Sequence, residues 1–293
     1  MRRPIALAAR GFAVANPAGV DVSWLMALPP LVDSHAHLDR FHHRGELPGV
    51  LERARAAGVI AIVAIGTEPP DWRLYRELVS QLGGFVAYTA GLHPCSVDED
   101  WEAAVAQLDA YFTGPGTAVG LGECGLDRFH LPKHDPAAAE RIFAWQSAAF
   151  RAQLELAKTI RGPVVVHSRG AFAECVAAID AAGLDWARVV FHCFSEGESE
   201  MRTLLERRGR GSFTGIITYK NAENVRDALR AQGLPRLMLE TDAPYLSPEP
   251  HRGKPNEPSY VALTAERAAQ VLGLPLPELA EATTMNARAF FGL

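Results

Sequence analysis

From residue 31 to the C-terminus, apolar runs rich in β-branched residues alternate with stretches of helical periodicity. The runs cover residues 31–35, 59–65, 85–92, 117–122, 163–167, 189–194, 211–217 and 236–242. Each is nearly continuous in apolar character, as in parallel strands covered on the outside by helices. Between them a 3.6-residue period predicts helices over 47–57, 72–81, 101–112, 136–158, 171–181, 198–208 and 222–232, with 259–272 and 276–290 closing the chain. Gly58, Gly83-Gly84, Gly162-Pro163 and Gly233-Leu234-Pro235 each stop a helix just before a strand. Eight strand–helix units predict an α/β fold, a (β/α)8 TIM barrel over residues 31–293. An open doubly wound sheet would not bring all the strand ends round one axis.

Composition narrows the functional classes. The 293 residues are 48% hydrophobic and 22% charged, enough to bury one large core. A formal net charge of -5 argues against a protein that coats nucleic acid non-specifically, although a local basic rim stays possible. Cys95, Cys124, Cys175 and Cys193 form no C-x-x-C pair, which predicts reduced thiols and a cytoplasmic protein. No 18-residue apolar run predicts a membrane span. Residues 1–30 carry Arg2, Arg3 and Arg10 but no proper signal-peptide core, and are expected to be a mobile, functionally silent extension; Met26 offers a second translation start.

The strand ends carry the chemistry. His35 and His37 stand one residue apart, so on an extended strand both imidazoles project the same way and can close on one metal ion. Strand three ends at His93, four at Glu123, five at His167, six at His192 and eight at Asp242. Barrel enzymes keep their active sites at this C-terminal rim. Taken singly, His167 or His192 could be a hydrogen-bonded core histidine, Glu123 a helix-start charge and Asp242 an N-cap. Four histidines and two carboxylates together form a ligand set of the right size for two divalent ions. Such a pair can activate a water and clamp the oxygens of a phosphoryl displacement.

These residues fall in an ordered series of motifs: Asp-Ser-His-Ala-His-Leu-Asp at 33–39, Gly-Leu-His-Pro at 91–94 and Gly-Leu-Gly-Glu-Cys-Gly-Leu-Asp at 120–127. Val-His-Ser-Arg at 166–169, Phe-His-Cys-Phe-Ser at 191–195, Thr-Tyr-Lys at 218–220, Glu-Thr-Asp-Ala-Pro-Tyr-Leu at 240–246 and Arg-Gly-Lys-Pro-Asn-Glu-Pro at 252–258 follow. The series resembles the TatD family of metal-dependent hydrolases and deoxyribonucleases, within the amidohydrolase-like barrels. The resemblance implies that His35, His37 and Asp242 hold a first metal, that Glu123 bridges, and that His167 and His192 hold a second. It makes Asp242 the general base. His93, Arg169, Lys220, Arg252 and Lys254 would face the substrate, where fixed cations bind phosphate. Cys95 stands where the family often has a second histidine, and Glu196 where a glycine commonly follows Phe-Ser; both bear on substrate preference.

Three classes of function follow. The favoured one is an exonuclease acting on single-stranded DNA or RNA, with Phe129, Phe194 or Tyr245 stacking a base. An amide or ester hydrolase for acyl or aminoacyl substrates is the alternative, and a non-catalytic binding barrel is the third. The resemblance points to Mg2+ for activity, whereas four imidazoles suit Zn2+ or Mn2+. A monomer is expected.

Overall fold

The structure, a computed structural model, describes residues 29–293. The expected extension therefore lies outside the described residues, apart from its last two. Eight strands run in chain order: β1 Leu31–Ala36, β2 Val59–Gly66, β3 Val86–Ala90, β4 Gly120–Asp127, β5 Val164–Arg169, β6 Val189–Phe191, β7 Arg210–Phe213 and β8 Met238–Leu239. Each pairs in parallel with its sequence neighbour. A bridge between Ala36 and Ala243 joins the first strand to the segment after the last and closes the barrel, so the predicted (β/α)8 TIM barrel is what forms.

Helices α1 Leu38–His43, α2 Leu47–Ala56, α3 Pro69–Gln81, α4 Trp101–Val105, α5 Pro136–Ala157, α6 Phe172–Ala182, α7 Glu198–Glu206, α8 Glu223–Gln232, α9 Val261–Leu272 and α10 Leu276–Phe291 wrap the strands. Two departures from the sequence reading stand out. The stretch after the His-x-His motif, where no element is expected, forms a helix, α1. The predicted helix over 101–112 breaks into α4 and a 3-10 segment, Leu108–Phe112.

Strand lengths differ more. β4 does not stop at Gly122 but continues five residues to Asp127, because Cys124–Asp127 pair with Val166–Arg169. β6, β7 and β8 are shorter than predicted; the chain leaves the ladder early and Gly215–Thr218 turns into a 3-10 segment.

Most of the core lies between strands and helices, where Trp72, Tyr75 and Phe150 are fully buried. Burying each such side chain contributes roughly 1.5–3 kcal/mol. A smaller cluster of Val32, Ala61, Val63, Ile65, Val165, Val190 and Met238 comes from five strands and meets Ala287 and Phe291 of α10. It fills the lower interior of the barrel and leaves the strand C-termini for polar groups.

Helix α5 ties those ends down. Asp135 caps it by accepting from the Ala138 N–H at 2.9 Å, and Pro136 fits its first position, where no N–H is needed. Two of its glutamines point inward. Gln153 accepts from Leu92 N at 2.8 Å and donates to Leu92 O at 3.1 Å, fixing the segment that carries His93. Gln146 accepts from Asp127 N at 3.0 Å and holds the end of β4. Losing such a buried bond costs about 1–3 kcal/mol.

Gly125 permits the close approach of β4 and β5. Its φ is +146°, and a Cβ there would lie 2.0 Å from the His167 carbonyl oxygen. Gly125→Ala is expected to lose about 3 kcal/mol or more, from unfavourable backbone torsion and overlap with a main-chain atom. Urea denaturation checks this, and a loss under about 1 kcal/mol would show that the two strands can separate without cost.

Candidate metal centre

One carboxylate sits where the polar strand ends converge. Glu123, on β4, is 2% exposed. Its Oε1 lies 2.6 Å from His192 Nε2, 2.7 Å from His167 Nδ1 and 3.3 Å from His93 Nε2. Its Oε2 faces the other way, 3.3 Å from His35 Nε2 and 3.9 Å from His37 Nε2. Asp242 closes that second side, with Oδ1 3.3 Å from His37 Nε2 and 3.5 Å from His35 Nε2. All six residues expected as metal ligands therefore meet in one place. His93, expected to face substrate, stands inside the same cluster.

The local folding explains the convergence. Asp33 Oδ2 accepts from Thr241 Oγ1 at 2.6 Å and its Oδ1 from Thr241 N at 2.9 Å, locking β1 to the segment after β8. His35 O then accepts from Asp242 N at 2.9 Å. Asp242 has a φ of 57°, a left-handed conformation that non-glycine residues rarely adopt and that the lock holds in place.

The electrostatics follow from crowding. Burial alone would raise the Glu123 acid, but His192, His93 and His167 hold it well below the usual carboxylate range. Burial likewise works against Asp242, and His37 and His35 overcome it, so this carboxylate too lies below its ordinary value. Burial pushes His35 down, helped by the neighbouring His192, on which its ring stacks at 3.9 Å. His192 itself lies well above its ordinary value, since Glu123 and Glu240 outweigh its burial.

The donor set fits divalent cations. His35 is completely buried, yet neither ring nitrogen has a hydrogen-bond partner. Its Nε2 lies 3.3 Å from Glu123 Oε2 and 3.5 Å from Asp242 Oδ1 without a hydrogen bond to either. A buried imidazole left unsatisfied in this way is unusual, and a cation beside the carboxylates would give its Nε2 a partner. His35, His37 and Glu123 form one group able to hold an ion, and His93, Glu123 and His167 form another.

Two acidic residues stand behind the imidazoles, one of them hydrogen-bonded to His167. Asp127, the last residue of β4, lies 3.0 Å from His167 Nε2 and also 2.8 Å from His130 Nδ1. Glu240 accepts from Cys193 N at 2.7 Å and from Ser212 Oγ, and stands 3.5 Å from His192 Nδ1. The sequence reading passed over both, although each lies inside a quoted motif. The signal that could have found them is the carboxylate partner that ligating histidines need.

Above the cluster opens a cavity of about 650 Å3, lined among others by His37, Arg40, His93, Cys95, Arg169, Asp242 and Tyr245. Arg169 reaches it as expected; Arg40, carried by the unpredicted α1, joins it. Lys220 and Arg252 do not line it. Lys220 lines a separate cavity of about 520 Å3 beside α9, and Arg252 stacks on Tyr219 at 4.2 Å. Lys254 is not among the lining residues either. Tyr245 is 47% exposed at the mouth and Phe129 51% exposed beside Arg169. Phe194 is 3% exposed and packs on Phe213 and Phe172, so it has no free face for a base. Cys95 lies 3.7 Å from Asp127, while Glu196 stays outside the lining.

Comparison with known proteins agrees with this geometry. The TatD related DNase family profile matches residues 32–292. The uncharacterized metal-dependent hydrolase YcfH of Escherichia coli K12 is 34% identical over 264 residues, 89% of this chain and 95% of that protein. The 3'-5' ssDNA/RNA exonuclease TatD of Erwinia amylovora is 31% identical over 252 residues, 83% of this chain and 93% of its own. The crystal structure of YjjV, a TatD homolog from E. coli K12, superposes with a TM-score of 0.80 at 28% identity, covering 90% of this chain and 98% of the other. A barrel closed around five histidines and two carboxylates, matched along nearly its whole length, makes this chain a member of the TatD-related family of metal-dependent hydrolases.

Proposed function

We propose that this member of the family is an exonuclease that hydrolyses phosphodiester bonds at the ends of single-stranded DNA or RNA. The observation that carries the reading is the divided environment of Glu123: one oxygen faces His93, His167 and His192, the other faces His35 and His37. In our assignment His35, His37 and Asp242 hold one cation, His167 and His192 hold another, and Glu123 is shared. Two divalent ions bound there would supply an activated water and a clamp on the attacking and leaving oxygens of a phosphodiester.

The chain's own residues do the rest. Asp242 is the general base: its carboxylate is held ionised by His37 and His35 and opens on the cavity, ready to accept a proton. Arg40 and Arg169 at the cavity wall bind phosphate, the planar guanidinium offering paired donors. Tyr245, against the edge of the His37 ring, presents an exposed face for a terminal base. Lys220 and Arg252 lie outside the cavity and contribute no contact to the terminal phosphate in this reading. A pocket with two cations and an exposed aromatic suits a nucleic-acid end better than a small acyl group. The Erwinia relative, a 3'-5' ssDNA/RNA exonuclease by name, adds support from outside the chain.

Mg2+ is the ion proposed for activity, with Mn2+ or Zn2+ able to occupy the same imidazole-rich set. The four free cysteines support action in the cytoplasm as a single barrel of residues 31–293. Among the described residues no helix is long and apolar enough to cross a membrane.

Protein stripped of metal by a chelator is expected to leave an end-labelled single-stranded oligonucleotide intact, and to shorten it stepwise when Mg2+ or Mn2+ is restored. Glu123→Ala and Asp242→Asn should each abolish the ladder; a loss under about tenfold, ~1.4 kcal/mol, for Glu123→Ala would remove its shared role. Cleavage of an aminoacyl ester by protein that leaves DNA and RNA untouched would move the assignment to acyl substrates.

Asp127→Asn tests how His167 is held. Replacing the carboxylate opposite His167 Nε2 by a neutral amide is expected to weaken metal binding about 10- to 100-fold while the barrel stays folded. Competition with a chromogenic chelator reads the affinity. An unchanged value would mean that His167 needs no carboxylate partner.

A further inference from the structure

At the face opposite the metal centre, each of β5, β6, β7 and β8 begins within three residues of an arginine: Arg161, Arg188, Arg210 and Arg236. Three of them, Arg161, Arg188 and Arg210, line one cavity of about 310 Å3 with Pro163, Ala187 and Phe290, and no acidic residue lines it. Among the described residues none of the four pairs with a carboxylate, whereas Arg53, Arg128, Arg202, Arg207 and Arg230 all do. In a chain of net charge -5, four neighbouring arginines without an acidic partner leave a local excess of positive charge.

Their bonding shows where capacity remains. Arg188 is a brace: Nε donates to Gly162 O at 3.1 Å, and Nη2 to Ala157 O and Ile160 O at 3.0 and 2.8 Å. Its charge is met only by carbonyl dipoles. Arg210 donates from Nη2 to Ala187 O at 3.1 Å and lies over the Phe290 ring at 4.3 Å, with its buried Nε unpartnered. Burial and the Arg236 charge push Arg210 down to about 10, the response of a cation lacking a counter-charge. Arg161 is exposed and makes no side-chain hydrogen bond among the described residues.

We infer that this cavity at the N-terminal face of the barrel is an anion site for a phosphate group, either free phosphate or a small phosphate ester. Arg161 and the open Nη1 groups of Arg188 and Arg210 supply the donors, and phosphate offers the oxygens that guanidinium forks match. The volume lies at the lower end for a small-molecule site, which suits a single phosphate-bearing ligand rather than a polymer. The site is separate from the metal centre and does not depend on what that centre hydrolyses.

Calorimetric titration of the full chain, kept free of metal by a chelator, with inorganic phosphate and separately with adenosine monophosphate tests the site. Four proteins are compared: the natural sequence, Arg161→Glu, Arg210→Met and Glu123→Gln. One binding event is expected that persists in Glu123→Gln and is weakened at least tenfold by Arg161→Glu, an exposed position where the reversed charge leaves the fold intact. Tighter binding of the monophosphate ester than of phosphate identifies an ester site; equal affinity identifies a free-phosphate site. Absence of binding to the natural sequence at millimolar ligand, or binding that survives both arginine substitutions, overturns the inference. Binding that disappears only in Glu123→Gln also overturns it, because the phosphate then sits at the metal centre.

Discussion

A single buried carboxylate surrounded by imidazoles is the constraint on which the rest of this protein depends. Glu123 cannot be buried as an anion without compensation, and five histidines from four neighbourhoods of the chain supply it. Bringing them together requires the ends of β1, β4, β5 and β6 and the segments after β3 and β8 to converge on one axis, which a closed parallel barrel does and an open sheet does not. The same crowding leaves His35 with both ring nitrogens unsatisfied inside the protein. That destabilising feature is the mark of a site arranged for a cation rather than for the polypeptide alone.

Rigidity around the cluster is built from the outside inward. Gln146 and Gln153 of α5 fix the ends of β4 and β3 by bonding their main chain. Asp33 fastens β1 to Thr241, and Asp127 and Glu240 stand behind His167 and His192. The left-handed backbone of Asp242 and the glycine at 125 are tolerated because these bonds over-determine the local path. Function and fold stability therefore draw on the same interactions around the metal centre.

Much of this was legible in the sequence. Among the described residues, the alternation of apolar runs and helical periods located the eight strands and nine of the ten helices at least in part, because parallel strands under a helical layer are apolar on both faces. The six expected ligands could be found because a titratable residue at the end of an apolar run is conspicuous. Asp127 was not, since β4 continues past its apolar stretch by pairing with β5, a long-range effect that periodicity does not show. Helix α1 was hidden by its histidines and charges. Phe194 shares a motif with His192 yet is buried after the early end of β6, whereas Lys220 and Arg252 lie in motifs that hold none of the converging residues, one beside a separate cavity and the other on Tyr219. For Phe194, proximity in sequence to His192 fixed the neighbourhood but not the direction.

The most direct test of the central claim is anomalous diffraction from crystals of the full chain grown with Mn2+. The account predicts two manganese peaks flanking the Glu123 carboxylate, one beside His35 and His37 and the other beside His167 and His192. A single peak, or two peaks that do not share Glu123, would contradict it and leave the divided surroundings of that carboxylate without a function.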